Sequence, residues 1–252
     1  MKIAVVTGAS SGMGREFVKA IDRDYTLDEI WVIARRRDRL EELTGECRTK
    51  VRGISLDLLE KKDINAYREL LISEKPHIHI LVNSAGCGLF GEFTEMDLDS
   101  QLDIIDLNDK ALTAMTYLSL PYMKEGDMII NMASNSSWQP VPYINVYGAS
   151  KAYVMSFSRA LGVELRGRKI HVMAVAPGWI KTEFFDHAVH DDTIKYYDRF
   201  YTAEQVVEKA MKDLKKKKEV SILGFPVRAQ VALVKHLPVK MVMNTWCKQQ
   251  GK

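Results

Sequence analysis

A chain of 252 residues, 46% apolar and 27% charged, can bury an ample core and sits at the upper end of one α/β domain. Its net charge of +3 provides no broad basic field, which excludes general nucleic-acid binding. Three scattered cysteines (Cys47, Cys87, Cys247) form no C-x-x-C pair, and no apolar run approaches ~18 residues, so neither a disulfide framework nor a membrane span is expected.

Strand-like Ile3-Ala4-Val5-Val6 follows a single lysine, leaving no room for a signal peptide, and the expected location is cytoplasmic. Short aliphatic runs then alternate with segments of helical period. Strands are expected over 3–7, 29–34, 51–56, 78–83, 128–133, 170–176 and 220–223, and helices over 13–23, 63–74, 98–123 and 146–165. In the first helix Met13, Phe17, Val18 and Ile21 form one stripe. Apolar strands separated by helices suit a parallel sheet covered on both faces, with right-handed crossovers. The expected fold is a single α/β domain spanning 1–252: a doubly wound, Rossmann-type sheet of seven parallel strands. Ligands bind at the carboxyl ends of such strands, where 7–14, 83–86, Ser134 and Pro177-Gly178 all fall.

Residues 178–201 are polar and aromatic without a clear period, and are expected to form a substrate lid. A helix follows, opened by Thr202 and Gln205 as a capping box. Its lysine run at 215–218 is read as a solvated end complementing the macrodipole. The tail, 225–252, has no acidic residue and mixes Arg228, Lys235 and Lys240 with Val231, Leu237, Met241 and Trp246; Pro238 divides it into two helices. Two readings of it stay open: peripheral contact with an anionic membrane surface, and packing against the lid or in a subunit interface.

Gly8, Gly12 and Gly14 lie where the first strand becomes a helix. Glycines there allow a tight turn and close approach of backbone to a pyrophosphate, whose charge the helix N-terminus stabilises. The second strand ends Ala34-Arg35-Arg36-Arg37. An acidic residue at its end would grip the ribose 2′-hydroxyl of NAD; an alanine followed by arginines suits a 2′-phosphate and favours NADP(H). Tyr147 and Lys151, four apart, share a helix face. An ammonium beside a phenol is expected to lower its pKa from about 10, so that Tyr147 can exchange a proton with a carbonyl oxygen. Ser134 would hydrogen-bond that oxygen.

The order Thr7-Gly8-x-x-x-Gly12-x-Gly14, Asp57, Asn83-Ser84-Ala85-Gly86, Asn108, Ser134, Tyr147/Lys151 and Pro177-Gly178 resembles the short-chain dehydrogenase/reductase family from Ile3 to about Gly224. The resemblance implies cofactor contacts from Gly8, Ser10, Ser11, Gly12, Met13, Gly14, Arg35, Arg36, Asp57, Leu58, Asn83, Ala85, Gly86, Tyr147, Lys151, Pro177, Gly178, Ile180 and Thr182. Within that set it implies adenine contact by Asp57, ribose contact by Lys151 and carboxamide contact by Ile180 and Thr182. It also implies catalytic roles for Ser134, Tyr147, Lys151 and, through a water-linked proton path, Asn108. Ser84 departs from the family's second asparagine. A homodimer or homotetramer through the helices at 98–123 and 146–165 is implied as well.

The expected activity is interconversion of a ketone and a secondary alcohol by an NADP(H)-dependent oxidoreductase, on a hydrophobic small molecule such as a hydroxysteroid or a 3-oxoacyl compound. The alternatives are a catalytically silent NADP(H)-sensing module and an epimerase or dehydratase on the same fold. No metal is expected: His187-Ala-Val-His190 has metal-compatible spacing but reads as polar lid, and His77 and His79 read as structural or solvated.

Overall fold

The structure is a computed structural model and describes every residue except His190. Strands β1 (Lys2–Thr7), β2 (Glu29–Ala34), β3 (Lys50–Ser55), β4 (His77–Asn83), β5 (Met128–Met132), β6 (His171–Val175) and, further along the chain, β9 (Val220–Ser221) form one sheet. Its order is β3-β2-β1-β4-β5-β6-β9, and every pairing is parallel. The chain moves outward from β1 to β3 and returns at β4, so strand order reverses between β1 and β4. A crevice opens there at the carboxyl ends.

Alternation along the strands builds two cores. Ala4 and Val6 of β1, with Ile30 and Val32 of β2, face one side. There they meet Phe17, Val18 and Ile21 of α1 (Gly12–Asp24), Leu40 and Leu43 of α2 (Arg37–Glu46), and Val207, Ala210 and Met211 of α8 (Ala203–Lys215). Ile3, Val5, Trp31 and Ile33 face the other side, against Tyr67 and Leu71 of α3 (Lys61–Glu74) and Met115 of α5 (Leu112–Ser119). The seven expected strands are all present; the last stops after two residues.

The long helix expected over 98–123 is interrupted. It consists of α4 (Leu98–Ile105), a π-helical turn at Asp106–Ala111 and α5, followed by a short 3₁₀ turn at Leu120–Tyr122. A π turn inserts one residue and re-aims the side chains around it; here it carries Asn108. Helix α6 (Asn145–Glu164) runs unbroken.

The segment after β6 is more ordered than its composition implied. Strand β7 (Trp179–Lys181) pairs in parallel with β8 (Phe200–Thr202), and α7 (Phe184–Ala188) lies between them. Thr202 and Gln205 form the expected capping box on α8. The lysine run at 215–218 is exposed, with Lys215 paired to Asp24 at 2.9 Å and Lys218 to Asp213 at 2.8 Å.

The tail forms α9 (Phe225–Val234) and α10 (Val239–Gln249), with Pro238 at the break. It packs inward. The Trp246 indole donates to the Pro142 carbonyl at 2.9 Å, and the Gln250 side chain accepts from the amides of Lys195 and Tyr196. Phe225, Leu233, Val239 and Met241 remain exposed. Among the described residues no helix is long and apolar enough to cross a membrane.

Candidate active site

The turn from β1 into α1 is held tightly. Gly8 has a φ of +66°, and a Cβ there would lie 2.7 Å from the Ala85 nitrogen; one on Gly14 would lie 2.2 Å from the Gly8 carbonyl oxygen. Side chains are excluded, so backbone lines a groove of about 430 Å³. The Thr7 hydroxyl accepts from the amides of Ser84 and Ala85 at 3.1 Å, locking the end of β1 to the end of β4. Gly8, Ser10, Ser11, Gly12, Met13, Gly14, Arg35, Arg36, Asp57, Leu58, Ala85, Gly86 and Thr182 all line this groove. Closely spaced backbone and a helix N-terminus fit the pyrophosphate of a nicotinamide dinucleotide.

Six members of the expected cofactor set stand elsewhere: Tyr147, Lys151, Pro177, Gly178 and Ile180 in a second cavity and Asn83 in neither. The second cavity adjoins the groove through Met13, Ser84, Gly86, Thr182 and Phe184. Asn83 lies beneath the groove. Its amide donates to Thr116 and to Asn131, each at 2.9 Å, tying β4 to α5 and β5. Asp57 does not cap α3, whose N-cap is Glu60; its carboxylate accepts from the Leu59 amide at 3.1 Å.

At the far end of β2, Arg36 donates to Glu183 at 2.8 Å and to the Ser10 hydroxyl at 3.1 Å. Arg35 stands 3.9 Å from Asp57. The Arg36–Glu183 pair therefore spans the groove and brings a carboxylate to its arginine corner. Sequence reading missed Glu183, because it is 147 residues from Arg36.

The second cavity, about 130 Å³, contains Ser134, Tyr147 and Lys151 in its wall. Ser134 follows β5, and its hydroxyl donates to the Asn135 side chain at 3.2 Å while accepting from the Ser136 amide. Ser137 secures this turn to α6 by donating to the Lys151 carbonyl at 2.7 Å. The Lys151 ammonium is 5% exposed; it donates to the Met132 carbonyl at 3.0 Å and lies 5.5 Å from the centre of the Tyr147 ring. Asn108, 1% exposed, bonds both the amide and the carbonyl of Cys87 at 3.0 Å and donates to Ser150 at 2.9 Å. Ser150 in turn donates to the Tyr147 carbonyl.

Electrostatics at this cluster differ from the sequence expectation. Burial pushes the Tyr147 phenol up to about 12, with a hydrogen bond to the Ser134 side chain acting in the opposite sense. Burial pulls the Lys151 ammonium down to about 8, opposed by the Asp109 carboxylate. Burial therefore raises the phenol where the four-residue spacing suggested a lowering. Asp109 itself is pushed up to about 7 by burial, with Lys151 opposing. The Cys87 thiol is likewise raised, to about 11, by burial, which removes it as a nucleophile at neutral pH.

Aromatic side chains supply most of the remaining wall. Phe90 meets Tyr147, Trp179, Phe184 and Phe185 at ring separations of 6.0 to 6.3 Å, and Trp246 of the tail stacks over Trp179. Gln139 and Gln230 add amides. None of Phe90, Gln139, Gln230 or Trp246 stands in a motif, so only the folded chain identifies them as wall residues. A Cβ on Gly88 would come within 2.8 Å of the Tyr147 ring. The His187/His190 pair falls partly outside the described residues, since His190 is not among them.

Comparison with known proteins agrees with this arrangement. A family model described as short chain dehydrogenase matches residues 2–193. The chain is 37% identical over 188 residues to the NADP-dependent 3-hydroxy acid dehydrogenase YdfG of Shigella flexneri, covering 72% of this chain and 74% of that protein. Among solved structures it resembles a short-chain dehydrogenase from Sphingobium yanoikuyae in complex with NADPH, at 26% identity and a TM-score of 0.79, covering 94% and 97% of the two chains. It also resembles 3-ketoacyl-(acyl-carrier-protein) reductase from Brucella melitensis complexed with NADH, at 25% identity and a TM-score of 0.74, covering 88% and 95%. With its seven-stranded parallel sheet, its glycine-lined groove and this match over most of its length, the chain belongs to the short-chain dehydrogenase family of oxidoreductases.

Proposed function

We propose that the protein is an NADP(H)-dependent oxidoreductase interconverting a neutral, apolar ketone and its secondary alcohol. One observation carries the reading: Ser134, Tyr147 and Lys151 share one cavity, continuous with a glycine-lined groove that ends at Arg35 and Arg36. When bound, the nicotinamide supplies a hydride to the carbonyl carbon or removes one from the carbinol. The Ser134 hydroxyl holds the substrate oxygen and stabilises the charge that develops on it. Tyr147 gives that oxygen its proton in reduction and recovers one in oxidation. Lys151 favours the phenolate left behind and reaches toward the ribose. Asn108 fixes the Cys87 backbone and Ser150 and supports the proton path.

A phenol held near 12 stays protonated at neutral pH, the state that gives a proton in ketone reduction. Lys151 loses its charge as pH rises through about 8, well before Tyr147 ionises. With NADPH as the varied substrate, kcat/KM for ketone reduction should therefore be level below about pH 8 and decline about tenfold per unit above it. A profile level to about pH 10 would contradict the role given to Lys151.

Preference for NADP(H) is supported by Ala34, Arg35 and Arg36 and by the NADP dependence in the name of the 37% identical relative. Glu183 opposes it by holding Arg36. Glu183→Gln should free that guanidinium and lower the KM for NADPH about two- to fivefold, because an exposed pair contributes no more than about 1 kcal/mol. A KM that rises would show that Glu183 assists the cofactor instead.

The substrate class follows from the wall. Among the described lining residues Lys151 is the only charged side chain, and its ammonium is bonded to the Met132 carbonyl, which supports a neutral substrate over a small carboxylate. The largely aromatic and aliphatic wall supports a hydrophobic carbonyl compound, such as an aryl or alkyl ketone, a hydroxysteroid or the head of a 3-oxoacyl chain. Turnover of a ketone panel, followed by NADPH absorbance with NADH in parallel, tests the reading; it fails if neither nucleotide is oxidised. The inward packing of α9 and α10 supports a pocket role for the tail over membrane contact. Exposed Leu102, Ile105, Tyr117 and Tyr153 on α4, α5 and α6 support pairing of subunits there.

A further inference from the structure

At the amino-terminal end of the sheet, opposite the groove, β4 opens with His77-Ile78-His79. Residues two apart on a strand share a face, so both imidazoles project to the same side. Parallel pairing of Ile80 with Met128 brings the residue before Met128, Asp127, alongside them. His77 Nε2 lies 2.9 and 3.0 Å from the two carboxylate oxygens, and His79 Nδ1 lies 2.7 Å from Oδ1. One nitrogen of each ring and a carboxylate oxygen fall within 4.8 Å of one another.

Charge is the reason this cluster asks for a ligand. The Asp127 side chain is 1% exposed, and its remaining partner is the backbone amide of Lys124. No lysine or arginine is paired with it among the described residues, unlike buried Asp213, which has Lys209 and Lys218. A buried carboxylate without a fixed cation is costly unless a positive charge reaches it. Tyr25, packed edge-on to His79, directs its hydroxyl to Met128 Sδ and does not compete for the carboxylate. The imidazoles are 25% and 16% exposed, which leaves an entry path on the solvent side.

Two imidazole nitrogens and one carboxylate are a donor set for zinc and its first-row neighbours. Ligands about 2.0–2.2 Å from one ion stand roughly 2.8–3.6 Å apart at right-angled to tetrahedral geometry, which the imidazole–carboxylate spacings of 2.7 to 3.0 Å approach. We propose that His77, His79 and Asp127 form a binding site for a divalent first-row transition ion such as Zn²⁺, tying the start of β4 to the entrance of β5. Water completes the coordination. Because the site lies at the opposite end of the sheet from the groove, its effect is on stability and not on hydride transfer.

The test uses the full chain, stripped with chelator and free of any affinity tag. It is titrated with Zn²⁺ by calorimetry and with Co²⁺ by visible absorbance, followed by thermal unfolding with and without Zn²⁺. One ion per chain should bind with micromolar affinity or tighter, and saturating Zn²⁺ should raise Tm by roughly 5 °C. The double variant His77→Gln, His79→Asn keeps an amide donor toward Asp127 in each position but offers no imidazole lone pair. It should retain the metal-free Tm within about 3 °C and lose both the binding and the shift. If that pair fails to fold, His77→Gln alone, at the more exposed ring, should weaken binding at least about tenfold. No saturation of the unaltered chain by about 1 mM Zn²⁺ would overturn the proposal, leaving a hydrogen-bonded cluster only. Binding and Tm shift unchanged in the variants would overturn it equally, by locating the ion elsewhere.

Discussion

Tyr147→Phe should lower kcat for ketone reduction by about 10³-fold while leaving NADPH affinity within about threefold. The substitution deletes one hydroxyl and keeps the ring that packs against Phe90 and Phe184. Stability and groove shape should therefore persist, and only the proton donor disappears. General acid catalysis contributes about 10²–10⁴ in rate, and Lys151, the other protonated group in the described cavity wall, is turned to the Met132 carbonyl. Steady-state kinetics together with NADPH fluorescence titration check this. A variant retaining a third of the activity would show that the proton comes from water or another group. A variant that no longer binds NADPH would show that the hydroxyl is a cofactor contact first.

Replacing Arg35 and Arg36 together with alanine should lower kcat/KM for NADPH by about 10²-fold and change that for NADH less than about threefold. Each guanidinium can make a charge-assisted hydrogen bond to the 2′-phosphate, contributing about 1.5 kcal/mol or more when paired well. Exposure and the competing carboxylates of Asp57 and Glu183 hold the total near the lower bound. The double change also releases Glu183 into the corner, where it would repel a phosphate and tolerate a ribose hydroxyl. Parallel kinetics with both nucleotides decide the matter: equal loss for NADPH and NADH would mean that the arginines hold the loop and do not read the phosphate.

The sheet was legible because its information is local. Ile3 to Thr7 and Glu29 to Ala34 are short aliphatic runs, and Phe17, Val18 and Ile21 repeat at helical spacing beside them. The glycine turn was legible for the same reason, since Gly8 and Gly14 approach each other within one turn of chain. What escaped depends on contacts distant in sequence. Trp246 reaches the cavity from the tail, 104 residues from the carbonyl it bonds. His77 and His79 meet Asp127 across 50 and 48 residues. The π turn at Asn108 leaves no compositional mark, because its neighbours would serve an ordinary helix equally well.

The Tyr147 phenol illustrates a different limit. Spacing correctly put Lys151 on the same helix face, and the ammonium does lie over the ring side of the phenol. Spacing carries no information on solvation, however. Phe90, Phe184 and the rest of the aromatic wall bury the phenol, and that burial pushes its pKa up. A phenol expected to be shifted down is instead shifted up, and it stays protonated at neutral pH.

A crystal structure of the chain with NADP⁺ tests the central claim most directly. The account predicts the pyrophosphate on the Gly8–Gly14 turn, the 2′-phosphate beside Arg35 and Arg36, and nicotinamide C4 facing the space between the Ser134 and Tyr147 hydroxyls. A nicotinamide ring lodged away from those hydroxyls, or Lys151 turned from the ribose, would contradict it.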